Sequence, residues 1–103
     1  MRFRNPLDKI LPSKTKVIIL RHLVNYGREI SVREFSREIG IAPPNMSKAL
    51  KGLASENVLV WRRFGNSIVY RLNKGHFLAD KIIIPLFKNE AMAKKELERK
   101  IIK

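Results

Sequence analysis

Cysteine is absent from this 103-residue chain, which removes disulfides, thiolate metal sites and cysteine nucleophiles together and points to a reducing compartment. Glutamine is missing too while Ile and Lys abound, a balance found in proteins of hot environments, where thermolabile residues are fewer. No apolar run approaches the roughly 20 residues that span a bilayer: the longest are Val17 to Leu20 and Ile82 to Phe87 around Pro85. No signal-peptide pattern opens the chain, so a soluble, cytoplasmic protein is expected. Acidic residues are scarce. Nine Asp plus Glu stand against 22 Lys plus Arg, a formal charge of +13, and such an excess favours a polyanionic partner, either nucleic acid or an anionic membrane surface.

With 45% hydrophobic residues, a chain of this length fits one compact core. Asn5-Pro6 reads as a helix start that Pro12 ends after little more than a turn, leaving Leu7, Ile10 and Leu11 for packing. Ser13 can cap a second helix, whose Val17, Leu20 and Val24 with Ile19 and Leu23 make a wide apolar stripe ending at Gly27. Ile30 sits in an extended link. Ser31 and Glu34, three apart, form the reciprocal capping box of a third helix, which buries Val32, Phe35 and Ile39, shows Arg33, Arg37 and Glu38 to solvent, and stops at Gly40. A fourth helix opens at Pro43-Pro44, where prolines cost least. Two short helices across a tight Gly-containing turn are a helix-turn-helix.

The sequences VLVWRR and SIVYRL then flank Phe64-Gly65-Asn66-Ser67, predicting an antiparallel hairpin with Gly65 and Asn66 at its tip. Leu59 and Trp61 fall on one face with Ile68, Tyr70 and Leu72, and that face is expected to look inward, with Trp61 in the core. For Phe64 the first expectation is an exposed ring covering its neighbour. From about His76 onward, Leu78, Ile82 and Leu86 and then Ala93, Leu97 and Ile101 recur at helical spacing, with Pro85 expected to kink or split the segment.

In a helix starting near Pro43, the residues Met46, Ala49, Leu50 and Leu53 recur at three and four places and face the core. The opposite side then carries Pro44, Asn45, Ser47, Lys48 and Lys51. A DNA major groove admits such a helix end, and Asn pairs with adenine, Lys with guanine and Ser with either kind of partner. Taken alone, Lys48 or Lys51 is better explained by an ordinary solvated face. The hairpin adds weight, because Val58 to Gly75 contains Arg62, Arg63, Arg71 and Lys74 and no acidic residue, the composition that phosphates ask for. Helix side and hairpin are expected to form one continuous ridge without concavity.

The order helix, helix-turn-helix, hairpin resembles the winged-helix domains of the ArsR and MarR transcription-regulator families, most specifically at REFSREIGIAPPNMSKALKGL and FGNSIVYRL. The resemblance implies a mainly α fold with a small β-hairpin: a winged helix-turn-helix DNA-binding domain over residues 1–75, followed by a terminal helix over 76–103. It implies a DNA-binding transcriptional regulator acting on double-stranded DNA through a recognition helix at about 43–56 and a wing at about 58–72. Groove contact falls to Pro44, Asn45, Ser47 and Lys48, and backbone contact to Lys51, Arg62, Arg63 and Asn66. Arg33, on the solvent side of the preceding helix, joins this DNA-binding set. The chain departs from metal-sensing members, which need clustered Cys or His: it has no Cys, and His22 and His76 lie far apart. No metal or cofactor is expected. The tail is similar to the segment that joins a winged helix to a minimal nucleotidyltransferase domain, although the Gly-Ser and paired-Asp signature of that catalytic domain does not occur. The chain is therefore either free-standing or part of a longer one.

Terminal apolar residues exceed what one small core needs: Leu7, Ile10, Leu11, Ile82, Ile83, Leu86, Leu97, Ile101 and Ile102. A homodimer through the terminal helices is expected, with 76–103 serving that role or joining another domain. Against an enzyme stands the pairing of acidic with basic neighbours at helical spacing, as in Arg33, Glu34, Arg37 and Glu38 or Lys94, Glu98, Lys95 and Arg99, which looks like a solvated face rather than a catalytic cluster. A docking module of a larger assembly is the alternative function, since a fold does not fix one. Membrane attachment through KKELERKIIK is disfavoured, because Glu interrupts its basic face and no aromatic anchors it.

Overall fold

The computed structural model describes residues 5–101. After a 3-10 turn at Pro6–Lys9 come α1 (Lys14–Tyr26), β1 (Ile30–Ser31), α2 (Val32–Ile39), α3 (Pro43–Ser55), β2 (Leu59–Phe64), β3 (Ser67–Leu72), a π-helical segment at Leu78–Ile83 and α4 (Ile84–Ile101). The hairpin is one part of a three-stranded antiparallel sheet in the order β1-β3-β2. The link at Ile30 is thus a strand, with Ile30 opposite Tyr70 and Ser31 opposite Val69. Two residues carry no period, so the pairing was invisible in the sequence.

Local signals account for most helix ends. The Ser13 hydroxyl accepts from the Lys16 amide at 3.2 Å. At α2 the Ser31 hydroxyl accepts from the Glu34 amide while the Glu34 carboxylate accepts from the Ser31 amide, the complete reciprocal box. Gly40 closes α2 at φ 80°, a conformation in which a Cβ would be strained, and so lets the chain turn at once into α3. The first turn starts at Asn5-Pro6 as expected, but without a side-chain cap from Asn5, whose carbonyl instead accepts from the Asp8 amide.

The end of α3 was not foreseen. Asn57 takes φ 64°, its amide donates to Ala54 and the Val58 amide donates to Leu53, which is a Schellman closure with Asn in the left-handed position. Val58 and Leu53 are both fully buried, supplying its apolar contact. Pro85 acts as a divider: lacking an N–H, it cannot serve the Lys81 carbonyl. Immediately before it the helix widens, the Ile84 amide donating to Ala79 across a π turn.

The core gathers Ile19, Leu20 and Leu23 of α1, Phe35 of α2, Met46, Leu50 and Leu53 of α3, then Leu59, Tyr70 and Leu72 of the sheet. From the terminal set, Ile10 and Ile83 are fully buried here, so these two are core residues and unavailable to a partner. Phe87 also docks inward, and beyond it α4 leaves the body: Met92 and Leu97 are 68% and 61% exposed. The Ile101 side chain and all of Ile102 lie outside the described residues.

Trp61 corrects the sequence reading. The register is as expected, with Leu59 opposite Leu72 and Trp61 opposite Tyr70, yet Trp61 is 59% exposed while Tyr70 is buried. Strand β2 is the sheet edge and the hairpin runs past the helices, so alternation continues after the body that would cover it has ended. Charge pairing differs as well. Instead of helical neighbours, the close ion pairs are Arg21 with Glu90, Arg28 with Glu38 and Arg62 with Glu29. Only Arg99 with Glu96, at 3.6 Å, sits at helical spacing among the described pairs.

Candidate nucleic-acid interface

Helix α3 divides its residues as the periodicity requires. Met46, Leu50 and Leu53 are fully buried, whereas Pro44, Asn45, Lys48 and Lys51 are exposed and Ser47 is half-buried. The outward side is uncovered by the tail, because α4 packs on α1. Its ridge is not continuous with the hairpin, contrary to expectation. An open groove separates them, lined by Arg33, Pro43, Pro44 and Ser47 on one bank and by Asn66 and Ser67 of the wing tip on the other. A second groove runs along the other flank of α3, between Asn45 and Lys48 and the start of α1 at Ser13, Thr15 and Lys16. The α3 ridge therefore stands between two troughs, a shape suited to entering a groove while flanking strands occupy the hollows.

Sequence reasoning missed the α1 residues. Lys14, Thr15 and Lys16 follow a cap and read as an unremarkable first turn, and only the tertiary fold sets Thr15 and Lys16 beside Lys48. The Lys16 ammonium donates to the Lys9 carbonyl at 3.0 Å, so this cation is already partly used. The Lys16 chain end passes close over Gly52, where a Cβ would lie 3.0 Å from it and displace this movable end.

The opening of α3 also decides how it can bind. Pro43 and Pro44 occupy the first two helical positions and Ala42 offers no side-chain cap. Of the four orphan amides at a helix start, the two prolines eliminate two. The backbone is thus a poor phosphate cradle, and what this end of the helix offers outward is the side chains of Asn45, Ser47 and Lys48.

On the wing, Gly65 takes φ 60°, which allows the two-residue tip and displays Asn66. Arg63, opposite Ile68, has no carboxylate partner among the described residues. Arg62 differs. Its Nε and Nη2 donate to the two carboxylate oxygens of Glu29 at 2.8 and 2.9 Å, and its guanidinium lies 5.3 Å from the Phe64 ring centre. Hydrogen bonds from Arg62 hold the Glu29 carboxyl below the usual carboxylate range, and the Arg71 charge adds to this. The acid-free composition of the hairpin therefore hides a local neutralisation from the loop before β1. Phe64 itself, 64% exposed, covers its neighbour as the first expectation had it.

The two histidines sit apart. His22 Nε2 is 3.2 Å from Glu38 Oε2 but not aligned to hydrogen-bond with it, and the ring meets Tyr26 at a tilt and Phe35 edge-on. His76 Nδ1 accepts from the Leu78 amide at 3.3 Å. Among the described residues no three His, Cys, Asp or Glu side chains cluster as metal ligands would, and no helix is long and apolar enough to cross a membrane.

Neither a protein-family model nor a curated protein sequence matches the chain. Solved structures do. The transcriptional repressor BigR from Xylella fastidiosa shares 29% identity over 81% of this chain and 81% of its own, with a TM-score of 0.64. The antimony-specific transcriptional repressor AntR shares 25% over 90% of this chain and 78% of its own, at 0.70. Mb0332 from Mycobacterium bovis, a homodimeric winged helix-turn-helix DNA-binding domain and possible ArsR-family regulator, shares 20% over 93% of this chain and 92% of its own, at 0.64.

Proposed function

Starting from a winged helix-turn-helix fold of the ArsR type, we propose that this chain is a sequence-specific regulator of transcription that binds double-stranded DNA. Helix α3 enters the major groove, with Asn45, Ser47 and Lys48 at base edges and Pro44 against the groove wall. Lys51, Arg63, Arg33 and Asn66 meet the backbone, and Arg62 does so only after leaving Glu29. The observation that carries this reading is the uncovered α3 ridge between two open troughs, one of them walled by the wing tip.

Two copies joined through the exposed Leu86, Met92 and Leu97 of α4 would place two such helices about 34 Å apart on a near-palindromic site. In this reading residues 1–75 bind DNA, 76–103 pair the copies, and the chain is not itself catalytic. It is tested by selecting bound duplexes from a random pool. A shared motif with two-fold symmetry is the expected result. No retardation of any duplex at about 50 mM salt, where phosphate contacts are strong, would leave a protein-docking module in its place.

A further inference from the structure

Below the wing, away from the α3 ridge, a cavity of ≈ 230 Å³ opens between the end of α1 and the end of β3. We propose that it binds a small organic anion with a short unbranched apolar chain, the chain lying on Leu23 and Leu72 and the anionic head held by Arg71 and Lys74. This goes beyond the DNA-binding reading and does not depend on it.

The floor is apolar, since Leu23 and Leu72 line the cavity and are almost wholly buried. Its rim carries Arg28, Arg71 and Lys74 with a single carboxylate, Glu29. Two of these four charges are already committed. Arg28 donates to Glu38 at 2.6 Å, and both Glu29 oxygens are taken by Arg62, which lies outside the cavity. Arg71 makes a 3.5 Å contact to the Leu72 carbonyl and shares the field of Glu29 without a hydrogen bond to it, and Lys74 has no side-chain partner among the described residues. What remains is a rim with net positive charge over an apolar floor, the Glu29 charge being shared between Arg62 and Arg71, and a carboxylate or phosphate monoester with a short hydrocarbon tail answers both.

The helix fixes the orientation. An α-helix C-terminus disfavours negative charge, so the head cannot sit at the α1 end and must lie toward β3, with the tail toward Leu23. The volume falls below the roughly 300–1,000 Å³ of drug-sized pockets, which restricts the ligand to one smaller than a drug molecule.

The test titrates the full chain, free of DNA and at constant ionic strength, with hexanoate, acetate, hexanol and inorganic phosphate, following the Leu23 and Leu72 methyl resonances. Full burial is worth roughly fourfold per methylene; for this partly open cavity hexanoate is expected to bind at least about tenfold more tightly than acetate, and hexanol far more weakly. Lys74→Ala and Arg71→Ala, both at exposed positions, should each weaken hexanoate by about tenfold or more, the worth of a charged hydrogen bond. Acetate or phosphate matching hexanoate would overturn the proposal, as adsorption of any anion to a basic surface would explain it. So would unchanged affinity in both variants, or resonance shifts confined to other residues.

Discussion

Glu29→Gln isolates the one place where the wing's charge is already spent. In the wild type the Arg62 fork is closed on Glu29 by hydrogen bonds of 2.8 and 2.9 Å, so of the two wing-tip arginines only Arg63 is free for phosphate. The pair lies at the surface, where such contacts add little to stability, and the variant should fold with nearly unchanged stability. Its effect belongs to binding. Releasing one cation to one phosphate steepens the dependence of log K on log salt by about 0.9. Between 200 and 50 mM salt, a fourfold dilution, the variant should therefore gain about 3.5-fold over wild type. Fluorescence anisotropy with a labelled duplex across a salt series reads this directly. The companion change is Arg62→Ala, which should flatten the wild-type slope less than Arg63→Ala does. An unchanged slope in Glu29→Gln, or equal losses for the two arginines in the wild-type background, would mean that Arg62 exchanges Glu29 for phosphate freely and the fork restrains nothing.

Asn45→Ala or Lys48→Ala should cost about 1–3 kcal/mol on a selected site and relax its base preference, whereas Arg63→Ala should weaken all duplexes alike; competition assays separate the two patterns. Leu97→Glu combined with Met92→Glu should give a monomer by light scattering while leaving the circular dichroism spectrum intact, since both side chains are exposed. Gly52→Ala should raise stability by up to about 1 kcal/mol in urea titrations through helix propensity, because the atoms it meets are the movable end of Lys16. Glu29 and Glu90 both titrate below their ordinary value of 4.5, chiefly through hydrogen bonds from Arg62 and Arg21. Their contribution is complete above that value and is lost as pH falls through the lowered one, so the thermal midpoint should decline below about pH 4.5. Glu90→Gln should blunt that decline.

What could be read from the sequence follows the range of the interaction. Ser13, Ser31 with Glu34, Gly40 and Pro43-Pro44 act within a few residues, and each fixed its helix end as expected. The buried side of α3 followed from spacing alone, and so did its outward face. Trp61 shows the limit: alternation assigns a face, but only the neighbouring elements decide whether that face is covered. The Glu29–Arg62 fork joins residues 33 apart, and the groove between Lys48 and Thr15 joins two helices far apart in the chain. Neither leaves a local trace.

The junction at Asn57 has a mechanical meaning. Its left-handed turn closes α3, its carbonyl accepts from the Asn73 side chain at 3.0 Å, and the Asn73 amide returns to Val58 at 2.9 Å. Helix α3 is thereby riveted to the roots of both hairpin strands, and the two behave as the fixed jaws of a caliper. In the proposed complex, a duplex whose groove spacing does not match must bend or twist to fit, at an elastic cost that varies with base-step stiffness. Bases lying under neither jaw can thus influence the choice of site.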